Sequence, residues 1–261
     1  MRADVYLAQY GHAKSRQSAK LLIESGKVKI DGVAVSKPSH DVDEEAQHTV
    51  EVTDAPRFVS RGGEKLDFAL ECFGIDVNGS KAVDVGASTG GFTDCLLQRG
   101  ASLVYAVDSG HGQLDLSLQK DKKVVSYEKY NARDMKRGDF PFPFDIAVLD
   151  VSFISQTYIH QGICDVLDDG GRFVSLVKPQ FECGRSALNS KGIVRSAKEH
   201  KRALVRVIES ARACGLTCID VVRSPIEGGD GNVEFLAHFV KCGDAYVSVS
   251  ENKIDIITKN K

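Results

Sequence analysis

Lys81-Ala82-Val83-Asp84-Val85-Gly86-Ala87-Ser88-Thr89-Gly90-Gly91-Phe92-Thr93 decides how this chain folds. Ala82 to Val85 is an apolar run with a single acid. It breaks into small residues and then into Phe92-Thr93-Asp94-Cys95-Leu96-Leu97, whose apolar positions recur at helical spacing. The stretch predicts a buried strand, a tight turn and a helix. In a doubly wound α/β sheet such a turn lies at the carboxyl edge of the first strand, beside the switch point where small ligands bind. Gly86, Gly90 and Gly91 permit positive φ and close approach of a ligand to the backbone.

The turn also narrows the ligand. A Walker loop needs Lys-Ser or Lys-Thr after its last glycine, and here Phe92 follows, which argues against a triphosphate. The dinucleotide fingerprint G-x-G-x-x-G is replaced by G-x-x-x-G-G. That spacing suits a nucleoside without a pyrophosphate, such as S-adenosylmethionine, held by Gly86, Ala87, Ser88, Thr89, Gly90, Gly91 and Phe92, with Asp84 near its charged amino-acid end. The next apolar run, Leu103 to Val107, ends in Asp108, 22 residues after Gly86, where a carboxylate can accept a ribose diol. The same acid would suit the ribose of NAD, so a dehydrogenase is an alternative.

Further strands follow. Val124-Val125-Ser126-Tyr127 is the third, and Asn131 after it is either an adenine contact or a turn residue. Phe144 to Phe153 is the fourth, with Asp150 at its carboxyl end. A fifth run from Arg172 reaches Lys178 immediately before Pro179. A lysine ending so apolar a run is either paired or open onto a cleft, and neighbouring parallel strands bring Asp150 within its reach. Lys65 opens a helix, where a cation opposes the helix dipole, so it is not there for helix stability. Gly110 to Leu114 reads as the restart of a helix, Lys198 to Cys214 as a basic helix, and Cys218 to Val222 as a sixth strand. The last strand, Asn232 to Val240, carries Glu234 near its start. Gly243 to Lys261 is polar and reads as a loosely docked tail.

Net charge is −2, but it is unevenly spread. Met1 to Lys37 holds seven Lys/Arg against three acids, and Lys178 to Arg212 holds nine against three. Two basic segments in a near-neutral chain point to local polyanion contact or to solvated helix faces. Seven cysteines without any CxxC pair argue against a disulfide framework or a zinc site, so no metal is expected and a reducing compartment is. No apolar run approaches the ~18 residues that span a bilayer, and no signal peptide is visible. A cytoplasmic protein without membrane insertion is the expectation.

At the amino end, Ser15 can cap a helix carrying Ala19, Leu21, Leu22 and Ile23 to its stop at Gly26, and Asp31-Gly32 signals a hairpin. Ser15-Arg16-Gln17-Ser18-Ala19 with Leu22 to Gly32 resembles the small RNA-binding domain of ribosomal protein S-four. The resemblance implies that Arg16, Lys20, Lys27 and Lys29 face RNA, with Lys14 and Arg2 as further candidates. Such domains read structured RNA by shape and phosphate contacts.

The whole chain to about residue 242 resembles the TlyA family, which joins that domain to an FtsJ-type methyltransferase domain. The motifs that carry the likeness are Ser60-Arg61-Gly62-Gly63-Glu64-Lys65-Leu66, Gly86 to Thr93, Asp150-Val151-Ser152-Phe153, Val177-Lys178-Pro179-Gln180-Phe181-Glu182 and Gly231-Asn232-Val233-Glu234. The resemblance implies an RNA-binding domain over residues 1–58, a Rossmann-like methyltransferase domain of seven strands, the last antiparallel, over 59–242, and a tail over 243–261. It further implies S-adenosylmethionine as cofactor, ribosomal RNA or ribosomal subunits as partner, and 2′-O-methylation of a cytidine ribose. The family's catalytic set maps onto Lys65, Asp150, Lys178 and Glu234. A ribose hydroxyl is a poor nucleophile, so the protein must align it, take its proton and exclude water. In that scheme Lys178 takes or steers the proton, Asp150 holds the lysine, and Lys65 with Glu234 fixes the nucleotide. A non-catalytic ribosome-assembly factor and a haemolysin, as some members are labelled, are the alternatives.

Overall fold

The computed structural model describes residues 1–13, 16–53, 57–242 and 248–259, apart from the Leu21 side chain. The Ser15 cap and the Lys14 contact therefore lie outside the described residues. Helices α1 (Ala3–Gln9) and α2 (Arg16–Glu24) share one apolar core with strands β1 (Val28–Ile30) and β3 (Val50–Val52) and with Val35, whereas strand β2 (Val33–Ala34) is exposed. The strands form an antiparallel sheet in the order β2-β1-β3. Asp31 and Gly32, at φ 52° and 77°, make the two-residue turn that the hairpin signal announced.

The remaining elements build a second, larger sheet. They are α3 (Arg61–Cys72), β4 (Lys81–Val85), α4 (Gly91–Gln98), β5 (Leu103–Val107), α5 (Leu116–Gln119), β6 (Val124–Tyr127) and β7 (Phe144–Leu149). Then come α6 (His160–Val166), β8 (Leu167–Val177), α7 (Pro179–Glu182), α8 (Ala197–Ala213), β9 (Leu216–Arg223), β10 (Phe235–Lys241) and α9 (Glu251–Thr258). The seven strands run in the order β6-β5-β4-β7-β8-β10-β9, and β10 is antiparallel to both neighbours. Strand order reverses at β4, so the switch point lies where the glycine turn leaves the sheet.

Alternation along each strand divides the core. Val83 and Val85 face a layer covered by α6 and α8, through Ile163, Leu204 and Val207. Ala82, Ile146 and Val148 face the opposite layer, covered by α3 and α4 through Leu66, Leu70 and Leu96. Among the described residues no helix is long and apolar enough to cross a membrane.

Two local expectations are corrected. The segment from Gly110 does not restart a helix at once, because Gly112 adopts φ 66° and Asp115 sets the first helical turn by accepting from the Ser117 amide. Nor is the carboxyl end a loose tail. Residues 251–258 form α9, which buries Ile254 in the core below α8 and β9, pairs Lys253 with Asp220, and places Glu251 and Asp255 at 2.8 and 2.6 Å from Lys201. Val249 and Ile257 pack beside Ile254, and these few apolar residues among polar ones were too weak a signal to show it.

Truncating that anchor is the test: Ile254→Ala is expected to lower unfolding free energy by about 2–4 kcal/mol in urea denaturation. A change within about 0.5 kcal/mol would mean that the helix is not part of the folded core.

Candidate active site

The site is built where β4 and β7 end. Gly86, at φ 84°, stands opposite Asp150, whose amide donates to the Val85 carbonyl at 3.0 Å. A β-carbon on residue 86 would overlap the Asp150 carbonyl, so glycine is required on two counts. The turn is rimmed by two cavities that share Gly86, Ser88, Asp150 and Ser152 and therefore form one continuous cleft. The larger, about 670 Å³, is lined by Asp108, Gln113, Asn131 and Arg133 among others. The smaller, about 270 Å³, is lined by Ala87, Thr89, Gly91 and Phe92 from the turn and by Lys65 and Lys178.

Each lysine has a carboxylate. Lys65 Nζ, nearly buried, donates to Glu234 Oε2 at 2.5 Å. Lys178 Nζ lies 2.6 Å from Asp150 Oδ1, as an ion pair outside hydrogen-bond geometry, and donates to Ser152 Oγ at 2.9 Å. The register explains the convergence. Phe235 pairs with Val177 across the antiparallel ladder, so one further step sets Glu234 beside Lys178 at the sheet edge. Pro179 then ends the strand, since it opens α7 at the first helical position. Lys65 comes from the second turn of α3, and only three of the four side chains reach the cleft surface, because Glu234 lies behind Lys65.

The nucleoside half of the cleft fits its expected occupant. Asp108 Oδ2 accepts from the Ser88 amide at 2.8 Å and Oδ1 from the Gly110 amide at 2.6 Å, which fixes the carboxylate while leaving lone pairs for a diol. Asn131 caps the short 3-10 turn at Ala132–Asp134 through its own Oδ1, so its amide nitrogen is the group left for a base. Gly90 lines neither cavity. It adopts φ 93° against Leu114 and Leu118, which makes it a packing glycine. Asp84 also lines neither. It points down into the α4 side, fully buried, with Oδ2 accepting from Thr93 Oγ1 at 2.7 Å and Oδ1 without a partner. Burial pushes its carboxyl up to about 7 against the Thr93 hydrogen bond, and Asp150 and Asp108 add to the push.

The amino-terminal candidates are partly spoken for. Buried Asp4 accepts from Arg2 Nε at 2.9 Å and Arg16 Nε at 2.8 Å, and these guanidinium groups, Arg2 foremost, draw its carboxyl down to about 2. Arg16 thus ties α2 to α1, Arg2 braces Asp4 from the start of α1, and both keep exposed faces. Lys20 stands 3.7 Å from Glu24 and Lys29 3.9 Å from Glu51, and Lys27 is half-exposed.

Several residues escaped the reading of the sequence. Glu182 is buried at the end of α7, accepting from Ser155 Oγ at 2.5 Å and the Gln156 amide at 2.9 Å, and so clamps the segment after Asp150 to the segment after Lys178. Phe153 holds φ 65° and is 93% exposed at the cleft mouth, its ring 5.4 Å from that of Phe181. That conformation is uncommon for a bulky residue. Arg133 lies over the Tyr158 ring at 5.4 Å on the same rim.

Residues 58–241 match the family model of FtsJ-like methyltransferases, and residues 1–48 match the S4 domain. The chain is 41% identical over 241 residues to Hemolysin A of Brachyspira hyodysenteriae, covering 92% of this chain and 100% of that one. It is 42% identical over 235 residues to the 16S/23S rRNA (cytidine-2'-O)-methyltransferase TlyA of Mycobacterium tuberculosis, covering 90% and 87%. A solved haemolysin-named structure from Streptococcus thermophilus superposes with a TM-score of 0.77 at 40% identity, covering 99% and 94%.

Asp84 makes a prediction with a definite sign. Its folded-state pKa lies above the unfolded value, so its stabilising contribution is complete below about pH 4 and is lost as pH rises through about 7. In the cofactor-free protein, the stability of Asp84→Asn relative to the parent is expected to rise over that window and level off above it, in thermal melts across the range. A difference that does not vary with pH would contradict the buried, protonated carboxyl.

Proposed function

We propose a reaction from one premise: this chain belongs to the TlyA family of FtsJ-like methyltransferases. The methyl donor is S-adenosylmethionine, which supplies an electrophilic methyl carbon on a cationic sulfur when bound. The acceptor we assign is the 2′-hydroxyl of a cytidine in ribosomal RNA, the activity in the name of the mycobacterial relative. Ribosomal RNA as substrate sets the reaction in the cytoplasm and fits an amino-terminal S4 domain.

One observation carries the reading: two lysines, each with its own carboxylate, converge on the cleft beside the glycine turn. Gly86, Ala87 and Ser88 offer backbone to the nucleoside, Asp108 a ribose contact and Asn131 a base contact. Lys178 donates one N–H to Ser152 and is held beside Asp150 as an ion pair, so its ammonium keeps an N–H for the acceptor oxygen, where it stabilises developing alkoxide charge. The Asp150–Lys178 pair takes up the proton that leaves the hydroxyl. Lys65, fixed by buried Glu234, contacts the acceptor nucleotide from the opposite wall. Phe153 and Phe181 offer a stacking surface to a base turned out of its helix.

Removing one partner of a buried ion pair costs about 3–5 kcal/mol, so Lys65 and Glu234 variants confound folding with activity. Lys178 is the cleaner probe. Lys178→Ala is expected to abolish methyl incorporation into ribosomal subunits while calorimetry finds S-adenosylmethionine affinity within about twofold of the parent. Retained turnover would remove Lys178 from the chemistry. Mass-spectrometric mapping of ribose methylation in cells with and without the gene should show a cytidine modification that disappears on deletion, and an unchanged map would refute the assigned acceptor.

A further inference from the structure

A third hollow, about 530 Å³, opens between the end of α7 and the first three turns of α8, next to the cleft. Lys198, Arg202 and Arg206 follow one another along it at four-residue intervals, which places their side chains in a line on one helix face with about 5–6 Å between successive β-carbons. Lys198 and Arg202 are exposed. A structural bond accounts for Arg206 but not for Lys198 and Arg202. Like charges at this spacing destabilise a helix, and Lys198 in the first turn opposes the dipole. Glu182, engaged by Ser155 and Gln156, and Glu209 also line the hollow, and Glu199 is 3.8 Å from Arg202, a surface pair worth little.

Position gives the stripe a use. Because α8 follows the carboxyl end of β8, its first turns lie on the same sheet edge as Lys178. Arg206 donates to the Glu182 carbonyl at 2.9 Å, and the Glu182 carboxylate holds Ser155 and Gln156, so the stripe is joined to both segments that carry Asp150 and Lys178. We infer that Lys198 and Arg202 bind successive phosphates of the RNA acceptor, as a second anchor in the methyltransferase domain besides the amino-terminal one. The inference rests on the ribose-methylation reading for its ligand. A polyanion laid across the catalytic edge meets this line of cations, which supplies position without base specificity.

The test is salt-dependent binding of the full chain to protein-free ribosomal RNA, from roughly 50 to 200 mM salt. For Lys198→Gln/Arg202→Gln the slope of log K against log salt should become shallower by about 2, one for each phosphate that the variant no longer neutralises. The KM for RNA should rise about tenfold, with kcat at saturating RNA and S-adenosylmethionine affinity unchanged. Arg212→Gln, at the far end of α8, should leave the slope in place. Slopes equal to that of the parent, or a change on Arg212→Gln as large as on Lys198→Gln alone, would overturn the proposal. Binding of anionic vesicles that vanishes in the double variant while the RNA slope stays put would assign the stripe to lipid and overturn it equally. A slope change as expected in a protein that transfers no methyl group would leave the anchor standing and refute the methylation reading instead.

Discussion

The absence of a β-carbon at residue 86 is the constraint on which the site depends. Without it the backbone of the turn meets the Asp150 carbonyl, and the ends of β4 and β7 close to hydrogen-bonding distance. That closure makes Gly86, Ser88, Asp150 and Ser152 common to both halves of the cleft. A nucleoside on the turn and the Asp150–Lys178 pair at the ends of β7 and β8 are then neighbours by construction. The reacting carbon can be presented to an attacking oxygen without moving either strand, which is the positional advantage that well-oriented sites exploit.

The two lysine–carboxylate pairs divide structural and chemical demands. Lys65 and Glu234 are 169 residues apart in the chain, so their contact ties the first helix of the large sheet to its antiparallel strand. Both are almost fully buried, and a buried pair returns little net stability after desolvation; its value is that a single arrangement satisfies it. Lys178 and Asp150 are more accessible, which suits the proton-transfer role proposed for them. Glu182 supports the second pair from behind. Burial raises its carboxyl pKa, while hydrogen bonds from Ser155 and Gln156 oppose the rise and hold the segment in place.

The sheet and the convergence of charges were legible because both obey strong rules. Apolar runs of strand length with small-residue breaks specify a parallel sheet, and charged residues at the carboxyl ends of such runs are seldom accidental. Lys178 and Asp150 stood out for that reason. Asp84 was misleading by the same rule: it precedes the turn, yet strand alternation sends its side chain to the α4 layer, and a motif does not show which face an acid takes. Gly90 misled because close packing and ligand approach select glycine alike. Phe153 was opaque since exposure and a positive φ have no sequence signature in an aromatic residue. Arg2 and Arg16 were read for charge alone, whereas half of their role is to neutralise Asp4 inside a small core.

Asp84 acquires a different significance once its neighbours are counted. Three carboxylates, Asp84, Asp108 and Asp150, surround one turn, and each of the other two disfavours the ionised form of Asp84. Lys178 offsets part of this repulsion at Asp150, and burial, the largest cause of the shift, keeps Asp84 protonated. A donor with a positively charged sulfur and an ammonium group relieves the repulsion directly, because opposite charge at short range in a poorly solvated cleft favours ionised carboxylates. After methyl transfer the sulfur is neutral, and part of that attraction is gone while every neutral contact with the nucleoside persists. In the proposed reaction, the cleft-lining Asp108 and Asp150 thus favour the cationic donor over the neutral product.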